Sequence, residues 1–171
     1  MRRVCYSVAM SLDGYIAGPN EEIDWIVIDP QIDFEALFER FDIVLMGRKS
    51  YEAARRQGRG GAMPGMHAVV FSRTLRQADC PDVTISSDPG DTVRALKASP
   101  GKDIWLFGGG SLFRSLLQLG LVDTVQVAVV PVLLGGGVPM LPHRAVKARL
   151  RLSNQTTYET TGTVLLEYDV L

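Results

Sequence analysis

Two short segments hold residue types suited to gripping a phosphate. At Met46-Gly47-Arg48-Lys49-Ser50 an apolar run ends in a glycine, followed at once by two cations and a hydroxyl. At Phe107-Gly108-Gly109-Gly110-Ser111-Leu112 a second apolar run ends in three glycines. Where a strand feeds a helix, the first helical turn leaves backbone N–H groups unpaired at the positive end of the helix dipole. Phosphate suits such a place, and glycines let the backbone approach it with no Cβ in the way. Taken singly, a GGG triplet is equally a flexible turn, and Arg48 and Lys49 are equally a solvated helix face. Neither segment matches G-x-G-x-x-G or G-x-x-x-x-G-K-[ST]. The two junctions together, each behind a strand, point to a bound nucleotide.

Other reactive side chains are sparse. Cys5, Cys80, His67 and His143 stand alone, with no partner at ligand spacing, so neither a metal site nor a Cys-His nucleophile is expected. Asp13 lies in a Leu-Asp-Gly turn, where it is either a substrate-facing acid or a turn residue bonded to backbone. Asp29 and Asp33 lie on either side of Pro30-Gln31-Ile32, and Asp33 suits a helix N-cap.

The elements that must position these residues alternate. Residues 3–10 read as a buried strand, followed by a loop marked by Gly14, Gly18 and Pro19. Phe34, Leu37, Phe38 and Phe41 form one helical stripe behind Asp33. Strands are predicted over 43–46, 67–71, 83–85 and 104–107, and helices over 48–56 and 111–119, with Gly120 ending the latter. Asp91 is placed to cap a short helix through Val93 and Leu96. An apolar run over 124–134 is interrupted by Pro131, and 150–157 with 163–170 alternate as a hairpin. The pattern predicts an α/β domain with a mostly parallel central sheet, helices on both faces and an antiparallel C-terminal hairpin. The two phosphate turns would then share the carboxyl edge of that sheet, where open α/β sheets bind ligands.

The 171 residues fit one domain, 1–171, with no linker or repeat. A formal net charge of −1 gives no electrostatic reason for nucleic acid or an anionic membrane as partner. No apolar run reaches membrane-spanning length, and MRRVCYSVAM lacks the pattern of a signal peptide, so the cytoplasm is expected.

Residues 46–52 resemble the MGR-x-[ST]-[WY]-E junction of dihydrofolate reductases, and residues 107–113 resemble their GGG pyrophosphate loop. Ser72-Arg73-Thr74 resembles their serine-containing turn at the adenosine end. Met10-Ser11-Leu12-Asp13-Gly14-Tyr15-Ile16-Ala17 and Leu134-Gly135-Gly136-Gly137-Val138-Pro139-Met140-Leu141 are closer to the reductase domain of the bifunctional riboflavin-biosynthesis deaminase-reductase. The resemblance implies a dihydrofolate-reductase-like three-layer fold and an NADPH cofactor. Ala9 and Ile16 would line the nicotinamide, and Gly47, Arg48, Lys49 and Ser50 would surround phosphates and ribose. Ser72 and Arg73 would hold the 2′-phosphate, and Gly108, Gly109, Gly110, Ser111 and Leu112 the pyrophosphate, with a cis bond between the first two glycines. On the substrate side Trp25 and Phe34 match the family's first-helix segment, and Asp29 and Asp33 flank its carboxylate position without aligning with it. Asp13 is the candidate substrate-facing carboxylate; no general acid stands out, so water or the substrate itself is the expected proton source. The acid position of true dihydrofolate reductases falls on Pro30, which weighs against that activity. The expected function is therefore NADPH-dependent reduction of a small substrate by a homodimer joined through its late strands. A pyrimidine such as 5-amino-6-(5-phosphoribosylamino)uracil, or a pterin, is the expected substrate, and a non-catalytic NADPH-binding sensor is the rival.

Overall fold

A computed structural model describes residues 1–58, 63–143 and 146–171. Among these, β1 (Val4–Ser11), β3 (Phe41–Gly47), β4 (His67–Phe71), β5 (Thr84–Ser86) and β6 (Asp103–Gly108) form the parallel part of one sheet with β7 (Thr124–Val130). The hairpin β9 (Leu150–Tyr158) and β10 (Thr163–Val170) completes it, β10 pairing antiparallel with β7. The order across the sheet is β5-β4-β3-β6-β1-β7-β10-β9.

Side chains alternate strictly along the inner strands, so each face of the sheet has its own core. Val4, Tyr6, Leu45, Val69, Ile104 and Leu106 bury one face against helices α3 (Pro89–Ala98) and α4 (Gly110–Gln118). Cys5, Val44, Met46, Ala68, Val70 and Trp105 bury the other, beneath α1 (Phe34–Glu39) and α2 (Arg48–Arg56). That is the expected three-layer α/β arrangement. Tyr6 stacks on Phe113 with ring centroids 3.8 Å apart, which locks α4 to the centre of the sheet.

Three local expectations are corrected. Phe41 leaves the α1 stripe and starts β3, because Arg40 closes the helix and Phe41 pairs with Asp103 of β6. The N-cap of α3 is Asp88, whose carboxylate accepts from the Asp91 amide, and Pro89 takes the first helical position. A small second sheet, β2 (Tyr15–Ala17) with β8 (Val138–Pro139), joins two loops that the sequence left open.

Candidate active site

Because β1, β3, β4 and β6 run parallel, their carboxyl ends share one edge. A cavity of about 1700 Å³ opens there and continues over the α1/α2 face. Gly47 ends β3 and caps α2; Gly109 follows β6 and caps α4, and neither helix start has a side-chain cap. The two turns are neighbours, since a Cβ on Gly47 would stand 3.7 Å from the Gly108 carbonyl oxygen. Two uncapped helix starts thus aim their amides into one space.

The three glycines differ in what they do. A Cβ on Gly109 would meet only Ser50 Oγ, at 3.6 Å, so the protein leaves that space open. A Cβ on Gly110 would lie 2.7 Å from the Met140 carbonyl oxygen and 3.0 Å from that of Pro139. Gly110 is therefore required to be glycine by the packing of α4 against the 139–142 segment, in addition to bordering the cavity. The Gly108–Gly109 peptide is cis, and Gly108 has φ of 136°.

The structure brings most of the expected cofactor residues together. Ala9, Ile16, Gly47, Arg48, Lys49, Ser50, Ser72, Arg73, Gly109, Gly110, Ser111 and Leu112 all border the cavity, while Gly108 does not line it. Ser72 Oγ accepts from the amides of Thr74 and Leu75 at 3.1 and 3.0 Å, so this serine shapes the turn that presents Arg73. Arg48 pairs with Glu52 and donates to Thr74 Oγ1. Among the described residues Lys49 and Arg73 have no carboxylate in ion-pair reach, leaving two cations for an anionic ligand. Open backbone over Gly109, capless helix starts and convergent cations fit a phosphate-rich dinucleotide.

Asp13 and Asp29 are both held by the protein itself, Asp13 as the backbone-bonded turn residue that was one of its two expected roles. Asp13 lies outside the cavity wall: its carboxylate accepts from Ser11 Oγ at 2.7 Å and from the Leu134 and Gly135 amides at 3.1 and 2.7 Å. The Ser11 hydrogen bond, helped by those amides, holds its carboxyl below the ordinary range, the opposite of what a proton donor needs. Asp29 is buried and accepts from Gln31 N, Thr161 N and Thr161 Oγ1, tying the loop before α1 to the hairpin turn. Trp25 donates to the Glu22 carbonyl and also stands off the cavity. These three positions do not support the substrate roles assigned to them. Asp33 caps α1 by accepting from Ala36 N, and it lines the cavity together with Phe34.

Sequence reasoning missed the floor of the cavity. Ser7, Gln126, Glu167 and Asn154 lie there, with Ala9, Ala128, Leu165 and Thr156 as the next row toward the carboxyl edge. The available signal was a polar residue set inside a valine- or leucine-rich run, Gln126 in TVQVAVV and Glu167 in TVLLEYDV.

This geometry defines a dihydrofolate-reductase-like α/β domain with a nucleotide-sized cleft at the carboxyl edge of its sheet. The sequence matches the RibD C-terminal domain over residues 2–165, and the chain belongs to that family. Two Bacillus subtilis proteins, both named as uncharacterized, are similar to it along most of their length. YyaP is 34% identical over 98% of this chain and 94% of its own. YwjB is 27% identical over 88% of this chain and 89% of its own. Among solved structures, a Shewanella sp. PV-4 protein provisionally named for riboflavin biosynthesis superposes with a TM-score of 0.83 at 25% identity, covering 100% of this chain and 99% of that one. The fold also matches the Thermotoga maritima diaminohydroxyphosphoribosylaminopyrimidine deaminase/5-amino-6-(5-phosphoribosylamino)uracil reductase, with a TM-score of 0.72 at 17% identity, covering 99% of this chain but 57% of that one.

Proposed function

We propose that this protein is an NADPH-dependent reductase that delivers hydride to a small substrate lying over Ala9 and Ala128. The observation that carries this reading is the meeting of two uncapped helix starts beside Arg48, Lys49 and Arg73 in one cavity. NADPH when bound supplies the hydride; the chain supplies position, dryness and charge. Gly109 and Ser111 line the pyrophosphate end, Arg73 and Lys49 the 2′-phosphate end, and Ile16 and Ala9 the nicotinamide end. Small side chains at Ala9 and Ala128 keep the reacting face free for a flat substrate.

With Asp13 and Asp29 engaged elsewhere, the proton comes from water or from the substrate's own groups. Dihydrofolate does not fit this reading, because Pro30 stands at the acid position and Asp29 is held by Thr161. A pyrimidine or pterin does fit, and the uracil derivative named for the Thermotoga maritima reductase is the first compound to try. No helix among the described residues is long and apolar enough to cross a membrane, and a cytoplasmic homodimer is the setting we assign.

Calorimetric titration with NADPH and NADH tests the reading. Phosphate contacts of this kind are worth about 1.5–3 kcal/mol each, so NADPH should bind at least about tenfold more tightly. Equal dissociation constants would refute the cofactor assignment.

A further inference from the structure

The polar row on the cavity floor is used neither by the phosphate turns nor by the proposed hydride transfer. Ser7, Gln126, Glu167 and Asn154 stand opposite one another on four adjacent strands, β1, β7, β10 and β9, and all four face the cavity. Ser7 Oγ donates to Gln126 Oε1 at 2.8 Å, and Gln126 Nε2 donates to Glu167 Oε1 at 2.6 Å. Asn154 Nδ2 donates to Glu167 Oε2 at 3.1 Å. Arg40, at the end of α1, also lines the cavity and brings its guanidinium to 3.4 Å from Glu167 Oε1. A carboxylate only accepts, so Glu167 sets the direction of every bond in the row: the buried Gln126 must turn its NH2 toward Glu167 and its oxygen toward Ser7.

This row is built to hold one carboxylate in a fixed attitude. Three donors occupy most of the roughly four lone-pair positions of Glu167 and leave room for a further N–H, while Arg40 keeps most of its N–H groups. The side chain of Glu167 is 21% exposed and that of Arg40 is 45% exposed, so a ligand can reach both. The neighbouring row begins with Ala9 and Ala128, which clear the way from the nicotinamide end. Two residues of strand separate the rows, about 7 Å, the width of one six-membered ring with its substituents.

We infer that Glu167 is the specificity-determining residue of the substrate half of the cavity. It accepts N–H donors from the inner edge of a flat nitrogen heterocycle, and Arg40 donates to an acceptor beside them. Gln126 and Asn154 are positioning residues that act through Glu167. The inference rests on the reading of Ala9 as the hydride end of the cavity.

The probe is isocytosine, whose N3–H form shows an amino group, a ring N–H and a carbonyl side by side. Its N3-methyl derivative lacks the ring donor. Saturation-transfer NMR is run with each compound, with and without NADPH, on the wild type, Glu167→Gln and the exchanged pair Gln126→Glu/Glu167→Gln. The wild type should bind isocytosine and lose the methylated compound. Glu167→Gln should weaken isocytosine at least about tenfold, the value of one charge-assisted hydrogen bond. The exchanged pair keeps one carboxylate and one amide in the row, so it should recover the melting temperature without recovering isocytosine affinity. The inference is overturned if the wild type does not bind isocytosine, if Glu167→Gln binds it equally well, or if the exchanged pair restores binding. Failure of NADPH to bind the wild type would instead remove the reductase reading, and a Glu167-dependent isocytosine signal would then still support the role of Glu167.

Discussion

Gly110, at the first turn of α4, sits so close to Met140 that a Cβ on it would fall 2.7 Å from the Met140 carbonyl oxygen. The start of α4, at the cavity edge, is thereby pressed against the segment that continues from β8. One residue earlier, Gly109 faces open space.

The two neighbours should respond oppositely to substitution. Gly110→Ala should destabilise the fold by about 1–3 kcal/mol, the usual cost of overpacking, because backbone rather than a mobile side chain must move. Gly109→Ala should leave the melting temperature nearly unchanged and reduce NADPH affinity. Thermal melts with calorimetry separate the two effects, and normal NADPH binding by a folded Gly109→Ala protein would place the cofactor elsewhere.

Arg73 is presented by a turn that Ser72 organises, with no carboxylate in ion-pair reach among the described residues. Arg73→Ala should weaken NADPH about tenfold and leave NADH unchanged. The contact is exposed to solvent, so the difference should shrink as salt is raised from 0.05 M to about 0.5 M. Loss of both cofactors in parallel would mean that Arg73 does not read the 2′-phosphate.

Asp13 joins the β1–β2 turn to the loop after Pro131 through the Leu134 and Gly135 amides. Its carboxyl is held below the ordinary range, so the stabilisation is present at neutral pH and is lost as pH falls through that lowered value. Amide exchange at Leu134 and Gly135, taken relative to the intrinsic rate at each pH, should be slow near neutrality and approach the intrinsic rate only in acid. In Asp13→Ala it should be fast throughout. Unchanged exchange in that variant would show that the clasp does not form in solution.

Leu133 is 70% exposed, and Leu150 and Leu152 project from β9, the strand that ends the sheet. Exposed leucines beside an unpaired strand edge invite pairing with a second copy. We expect an isologous dimer through Val132 to Leu134 and the β9–β10 hairpin. Leu133→Glu should shift the mass in light scattering from dimer to monomer, and a wild-type monomer across the micromolar range would refute the assembly.

The two glycine turns were legible as a pair because each follows an apolar strand and opens a helix, and strand and helix periods differ. Among the acids, Asp33 was legible as an N-cap and Asp13 as one of two alternatives, but the partners of Asp13 and Asp29 were not legible. Asp13 finds its partners 121 and 122 residues away, and Asp29 finds Thr161 at a separation of 132, so nothing local reveals that both are already engaged. The Ser7–Glu167 row was hidden for a related reason. Its members come together through the cross-strand register of four strands, which no single strand's pattern records. Gly110 looked like its two neighbours because its constraint comes from a carbonyl thirty positions on.

The place of β6 between β3 and β1 has a consequence for how the chain acquires its site. When residues up to about 100 have left the ribosome, β1 and β3 are both made but are not each other's partners. The gap between them waits for β6, which must pair on both edges at once and carry the GGG turn into place beside Gly47. Long-range parallel pairing of this kind is slow, and the waiting strands are exposed to misassociation. The cleft therefore comes into being in the same step that closes the sheet, and a ligand spanning both turns should slow unfolding by clamping β6 in its slot.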